Sequence, residues 1–432
     1  MPTTVDNTKV QKAFEDLMKL YEENGDLARI KWDTESMTVS EGIGYGMMIL
    51  VYMDNAANNT KDKFDKLSAY YKKFSDPKGL MNWKINGFSG PTMDGKNSAT
   101  DADLDIALGL IEAYKQWGDE KYLTDAKSII DKISKNDVTA AGYLNPGDTW
   151  GTSPLKYNPS YFSTAALQVF KQASTFDWDK VINNSYALIK KCQNSATGLV
   201  QDWCTLDGGI SAGDKDQYSY DATRTPWRMA WAYSWFGHKE AKDICTKIAS
   251  WISTKTENDA SKVVDGYRRD GSEIGKTNNS TFVGPFACAG LVDRAHQGWL
   301  DNAYAQLNKL VETRDIYYQQ SIKVITLLLL SGNMPDLWTA TGASVDELRS
   351  ADVVPALGKT GMERLSVTMP SAGKLSLSLY TLKGGFAASI VEGSLASGTH
   401  RFAIPLSVRS GTYVVRMKTS GRLVTGRATV FR

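Results

Sequence analysis

Through the first 331 residues apolar positions recur every three or four residues, and two kinds of stretch alternate. The first kind is amphipathic: residues 6–23 place Val10, Phe14, Leu17, Met18 and Tyr21 on one face with charge on the other. The second kind is apolar nearly all round, as in 38–52 and 100–117, the pattern of a helix enclosed by other helices. The alternation predicts amphipathic helices near 6–23, 60–75, 121–135, 178–193, 239–254 and 300–312. Apolar partners follow at 38–52, at 100–117, from about 158, from about 225, at 282–297 and at 317–331. Six such hairpins make twelve helices, an inner ring wrapped by an outer one, which is an all-α (α/α)6 barrel.

The texture changes beyond Gly332. Residues 336–360 read as a linker, and 361–432 carry short alternating runs such as Leu375 to Tyr380 and Tyr413 to Met417 between Gly- and Ser-containing turns. That is the pattern of a small all-β sandwich, so the chain divides into a barrel domain over 1–335 and a sandwich over 361–432.

In such a barrel the inner helices run parallel and their amino termini open on one rim. The residues falling there are Glu41, Asp101, Tyr161, Asp221, Thr281, Tyr317 and Tyr318, and the rim loops add Trp83, Trp150 and Trp203. Thr38 with Glu41, and Thr100 with Asp103, have the spacing of capping boxes, which accounts for Asp103 but poorly for Asp101. Thr225 and Pro226 can cap and open a helix, leaving Asp221 in the loop before it. Gly42, Gly44 and Gly46 alternate through one first turn, although each glycine costs a helix roughly 1 kcal/mol, so a ligand or a neighbouring helix must come close there. Asp105 reads as a helix-surface or interhelical hydrogen-bonding residue, and Asp202 as either a substrate contact or a turn residue. Trp117, Trp231 and Trp235 read as core.

Charge and composition narrow the chemistry. The net charge of +2 gives no reason to expect nucleic acid, but residues 341–432 carry +7 and the remainder −5, and all twelve Trp lie in the acidic part. Aromatic faces and carboxylates at one mouth suit a neutral sugar chain better than a phosphate polymer. Three His (His238, His296 and His400) and scattered Cys192, Cys204, Cys245 and Cys288 supply no metal-ligand spacing. No metal or cofactor is expected, and one disulfide involving Cys192 is left open. No run approaches the roughly 18 apolar residues of a membrane span, and the amino terminus lacks a signal-peptide core.

The stretch Ala99 to Ala107, Ala-Thr-Asp-Ala-Asp-Leu-Asp-Ile-Ala, resembles the signature of glycoside hydrolase family 8. Ser40-Glu-Gly-Ile-Gly-Tyr-Gly-Met47, Gly79 to Trp83, Asn158 to Phe162, Tyr220 to Arg228 and Tyr317-Tyr318 extend the likeness over roughly residues 10–335. The resemblance implies an inverting, endo-acting hydrolase, a cellulase or endo-β-1,4-glucanase, with Glu41 as general acid, Asp221 as general base and Asp101 gripping the sugar at the cleavage point. It makes Trp83, Trp150, Tyr317 and Tyr318 stacking platforms, with Arg224 and Tyr161 placing Asp221 and its water. A helix amino terminus favours ionised Glu41, and a nearby ionised Asp101 would oppose that. The implied partner is a β-glucan chain met by a monomer. Alternatives are the same fold acting on xylan or mixed-linkage glucan, a silent glycan-binding protein, and a polysaccharide lyase, which the acidic rim disfavours. The last 65 or so residues also resemble the β-rich sorting tails of exported bacterial proteins, which implies a secreted, extracellular or surface-held enzyme.

Overall fold

The structure, a computed structural model, describes residues 1–55, 58–150, 155–311 and 316–340, then 356–359, 364–369, 372–381, 385–396, 398–405, 407–409, 411–419 and 422–430. It divides into two compact units, Met1–Ser331 and Gly332–Arg432.

Among its described residues the first unit contains twelve α-helices in strict alternation. The outer ones are α1 (Asn7–Met18), α3 (Lys61–Lys73), α5 (Glu120–Asn136), α7 (Trp178–Cys192), α9 (Lys239–Lys255) and α11 (Gln297–Lys309). Each buries a single stripe; in α5 it is Tyr122, Ala126, Ile129, Ile130 and Ile133. The inner ones are α2 (Ser40–Tyr52), α4 (Thr100–Trp117), α6 (Thr164–Phe170), α8 (Arg224–Phe236), α10 (Ser280–Gly290) and α12 (Tyr317–Ser331), buried on almost every side. The inner ring closes on itself: α2 packs on α4, α4 on α6, α6 on α8, α8 on α10, α10 on α12 and α12 back on α2. This is the (α/α)6 barrel that the hydropathy alternation predicts.

Several boundaries move for local reasons. α1 stops at Met18, and Tyr21 enters a hairpin, β1 (Tyr21–Asn24) with β2 (Leu27–Ile30), whose turn is made by Gly25 at φ +62°. The sixth helix starts only at Thr164, after a 3-10 turn at Pro159–Tyr161 capped by Asn158. α10 ends at Gly290 rather than 297, and a second 3-10 turn, Arg294–His296, leads into α11. Alternation said nothing of the short strands that stiffen the rim loops. β3 (Met37–Val39), β4 (Lys84–Asn86) and β5 (Gly90–Pro91) form one antiparallel sheet, and β6 (Gln217–Tyr218) pairs with β7 (Tyr267–Arg268).

Neither capping box forms. α2 follows Val39 and α4 follows Ala99, with no side-chain cap at either; Thr38 donates instead to the Ile30 carbonyl, and the Thr100 hydroxyl has no partner. α8 begins at Arg224 behind Thr223, so Thr225 and Pro226 lie inside its first turn, where the proline's missing N–H is harmless. Outer helices α1, α5 and α7, by contrast, are capped by Asp6, Asp119 and Asp177.

The alternating glycines serve helix contact. A Cβ on Gly44 would stand 3.2 Å from the Ala102 carbonyl oxygen and 3.2 Å from the Asp105 Cβ of α4, while one on Gly46 would meet Leu67 at 2.9 Å. Close approach of α2 and α4 is what sets the carboxylates at their first turns side by side.

Of the stretch read as a linker, 341–355 and 360 lie outside the described residues; Leu337–Ala340 form one helical turn, α13, and Ala356–Lys359 form β8. The second unit continues with β9 (Arg364–Met369), β10 (Gly373–Thr381), β11 (Phe386–Leu395), β12 (Gly398–Ala403), β13 (Gly411–Thr419) and β14 (Arg422–Val430). They form two antiparallel sheets, β11-β10-β13-β14 and β12-β9-β8. Leu365, Val367, Leu375, Leu377, Leu379, Val415 and Met417 make its own core from alternate strand positions.

Replacing Gly44 by Leu overpacks the α2–α4 contact, and we expect a loss of about 1–3 kcal/mol in urea unfolding of the barrel.

Candidate active site

The rim gathers three carboxylates from three inner-helix starts onto one guanidinium. Glu41 is the second residue of α2, Asp101 the second of α4, and Asp221 lies three residues ahead of Arg224, the first residue of α8. Arg224 Nη1 donates to Glu41 Oε1 and, at 2.7 Å, to Asp101 Oδ2; Nη2 donates to Asp221 Oδ1 at 2.7 Å. The arginine is buried, with Tyr161 and Tyr318 rings 5.1 and 5.9 Å from its Cζ.

Each carboxylate has a different remaining environment. Glu41 accepts from Tyr45 at 3.0 Å and from Tyr317 at 2.5 Å. Asp101 accepts the Ala102 N–H at 2.9 Å, an amide it shares with the Ala99 carbonyl at 3.0 Å. Asp221 accepts from Asn158 Nδ2 at 3.0 Å and from the Trp203 indole at 3.1 Å. Side-chain exposure separates them: 3% for Asp101, 13% for Glu41 and 34% for Asp221, so Asp221 is the carboxylate most open to a water.

Electrostatics follow burial. The Asp101 carboxyl is pushed up to about 7 by burial, with Arg224 pulling it down and Glu41 adding to the rise. Asp221 is also raised by burial, against the pull of Arg224 and of its hydrogen bonds to Asn158 and Trp203. Burial holds the phenols of Tyr45, Tyr161, Tyr317 and Tyr318 far above their ordinary range, so they act as neutral donors. Hydrogen-bond donors and one cation thus meet acids whose charge the rim can tune, an arrangement suited to proton transfer on both sides of a bound group.

One turn deeper the pattern repeats. Asp105 and Arg228, four residues beyond Asp101 and Arg224, form a fully buried pair with both bonds at 2.8 Å. Asp105 is therefore interhelical, and together the two pairs lace α4 to α8 in register.

The aromatic residues are placed unequally. Trp150 and Trp203 rings lie 5.3 Å apart and Trp203 and Tyr161 6.1 Å apart, a run that leads to Arg224. Trp150 is fixed by its indole N–H on the Ser98 carbonyl, and Trp83 by its own on Asp94 and by a backbone bond from Ser40, the residue before Glu41. Tyr318 is half-buried and donates to the Tyr220 carbonyl. Tyr317 departs from the expected stacking platform: it is buried, its ring 3.2 Å from where a Gly42 Cβ would stand, and its hydroxyl is spent on Glu41. Sequence reading passed over Tyr45, Asn158 and the Trp203–Asp221 bond. Tyr45 was legible as the i+4 neighbour of Glu41 on one helix face; the other two depend on loops folding back.

Cys192, Cys204, Cys245 and Cys288 are all free, buried thiols, so the bridge left open at Cys192 is not formed. Trp231 is core, whereas Trp117 and Trp235 are only half-buried. Among the described residues no three His, Cys, Asp or Glu side chains are grouped to hold a metal, and no helix is long and apolar enough to cross a membrane.

A family model described as glycosyl hydrolases family 8 matches residues 13–332. Endoglucanase A of Acetivibrio thermocellus is 36% identical over 327 residues, which cover 72% of this chain and 66% of that protein. The beta-glucanase of Niallia circulans is 34% identical over 333 residues, covering 72% and 80%. Among solved structures, beta-1,3-1,4-glucanase from Paenibacillus sp. X4 superimposes with a TM-score of 0.71 at 30% identity, covering 77% of this chain and 94% of that one. Rex8A from Paenibacillus barcinonensis, complexed with xylose, matches with a TM-score of 0.64 at 20% identity over 76% and 93%, a likeness in fold alone.

Beneath the rim Asp103 and Asp137 are buried with one carboxyl oxygen each unpartnered, and burial raises both well above 3.8. Asp202 is likewise raised to about 6, chiefly by burial. The folded state therefore keeps protons that the unfolded chain releases from about pH 4 upward, and the stability these groups contribute is lost as pH rises through their folded values. We expect the urea midpoint to fall between pH 5 and pH 8, and Asp137→Asn to flatten that slope.

Proposed function

The chain belongs to glycosyl hydrolases family 8, and on that premise we propose that it is an inverting, endo-acting hydrolase of β-1,4-glucan, an endoglucanase. The observation that carries this reading is the single guanidinium of Arg224 holding Glu41, Asp101 and Asp221 at the aromatic rim. The names of the relatives, endoglucanase and beta-glucanase, support the polymer class.

In the proposed mechanism Glu41, in its protonated form, gives its proton to the glycosidic oxygen as the bond to the anomeric carbon breaks. Asp221 takes a proton from a water that attacks that carbon from the opposite face, so the products leave with inverted configuration and each acid is reset by exchange with solvent. Inversion needs carboxyls roughly 6.5–9.5 Å apart to admit the water. Arg224 stands between Glu41 and Asp221, bound to each through a different nitrogen, and this supports a gap wider than direct carboxyl contact. Exposure of Asp221 and the neutral donors Asn158 and Trp203 on it suit a base that must accept a proton from water. Asp101, buried and raised to about 7, would grip a sugar hydroxyl. Trp83, Trp150, Trp203 and Tyr318 would stack pyranose rings, while Tyr161 with Arg224 places Asp221, and Tyr317 with Tyr45 orients Glu41.

A second reading keeps this chemistry and changes the polymer to mixed-linkage glucan, favoured by the likeness to beta-1,3-1,4-glucanase. The second unit would serve export or surface attachment, which fractionation of cells making the full chain would test.

Reducing-sugar release from carboxymethyl cellulose, barley β-glucan, xylan and chitosan separates these readings. We expect glucan cleavage, with kcat falling roughly 10²–10⁴-fold in Glu41→Gln and in Asp221→Asn. Proton NMR of the first products should show the α anomer; a β anomer overturns inversion, and release from none of the four polymers points to a silent binder.

A further inference from the structure

Asp221 stands outside any regular element, in the turn between β6 and α8, and yet its carboxylate must be held to a fraction of an ångström for water activation. Its backbone is fastened from below. Asp202 Oδ1 accepts the Ser219 N–H at 2.9 Å and the Ala222 N–H at 2.8 Å, one on either side of Asp221. The other oxygen of Asp202 accepts from the Gln217 amide at 3.2 Å, and the Asp202 N–H donates to the Gln217 carbonyl at 2.9 Å. The side chain is only 7% exposed, too enclosed for a polymer contact, so it serves the turn rather than the substrate. The next residue, Trp203, places its indole N–H on Asp221 Oδ2 at 3.1 Å.

From this geometry we infer that Asp202 is the positioning residue of the proposed base. Its carboxylate fixes the backbone that carries Asp221, and its neighbour Trp203 fixes the carboxylate itself. Both bonds arise from one dipeptide, so a shift of the 199–204 segment would move backbone and side chain of Asp221 together. An acceptor with two lone pairs on one oxygen is what the converging N–H groups of Ser219 and Ala222 require. Asparagine keeps that oxygen, whereas alanine leaves both amides unsatisfied. The surrounding charges are Asp221 and Arg224 ahead, the pair formed by Asp216 just before β6 and Arg269 just after β7, and Lys156, whose Nζ lies 4.4 Å from the Trp203 ring centre.

This inference rests on Asp221 acting as the base, so the test carries Asp221→Asn in parallel. Steady-state kinetics on whichever glucan the parent cleaves, with folded fraction followed by circular dichroism, should show Asp202→Ala losing about 100-fold in kcat with KM within about threefold. Asp202→Asn should recover to within about tenfold of the parent. A kcat in Asp202→Ala equal to the parent's, or a loss that tracks the unfolded fraction alone, overturns the positioning role while Asp221→Asn remains inactive. An active Asp221→Asn instead overturns the assignment of the base.

Discussion

Everything at the rim depends on one buried cation. Arg224 is 3% exposed and satisfies acids from α2 and α4 and from the loop before α8. Crowding three carboxylates together, one of them buried and two partly so, is strongly unfavourable unless they are paired, protonated or both. The site uses both: the guanidinium neutralises part of the charge, and Asp101 meets the remainder by holding its proton up to about 7. Removing the arginine would leave buried acids unpaired, so the same contact that organises the proposed chemistry also decides whether the inner helices tolerate their own first turns.

The pairing of Asp105 with Arg228 extends this constraint into the barrel. A buried ion pair contributes little net stability compared with apolar packing, but it admits few alternative alignments. Two pairs one helical turn apart, Asp101 with Arg224 and Asp105 with Arg228, define the register of α4 against α8. Gly44 sets the third side, because a Cβ there would stand 3.2 Å from both the Asp105 Cβ and the Ala102 carbonyl oxygen and would push α2 away from α4. Packing and charge thus converge on one level of the barrel, directly under Glu41.

The loops that complete the site are tied down by hydrogen bonds at the residues that face it. Trp83 is tied to Ser40 through its carbonyl, Trp150 to Ser98 through its indole, and Asp221 to Asp202 through the backbone on both sides. Short strand pairs such as β6 with β7 give these loops a scaffold without lengthening them. Trp83 and Trp150 are held by indole hydrogen bonds to main-chain carbonyls, and Trp203 by its bond to the Asp221 carboxylate.

What the sequence determined by itself was the alternation. Helical periodicity, with one apolar stripe or with several, is a local property, and it specified twelve helices, their inner or outer place, and the rim position of Glu41, Asp101 and Asp221. The motifs carrying Ala99 to Ala107 and Tyr220 to Arg228 narrowed the family. Tertiary structure decided the partners. Thr38 and Thr100 have capping spacing with Glu41 and Asp103, yet Glu41 is bound by Arg224, more than a hundred positions away, and Asp103 accepts from the Tyr71 hydroxyl and the Met81 N–H instead. Tyr317 looked like a platform and became a donor to Glu41 because α12 closes the ring against Gly42. Asn158, Asp202 and Trp203 had no visible tie to Asp221, since their contacts form only when separate loops fold over one helix end. Periodicity reports which face is buried; what stands opposite that face is set by closure of the barrel.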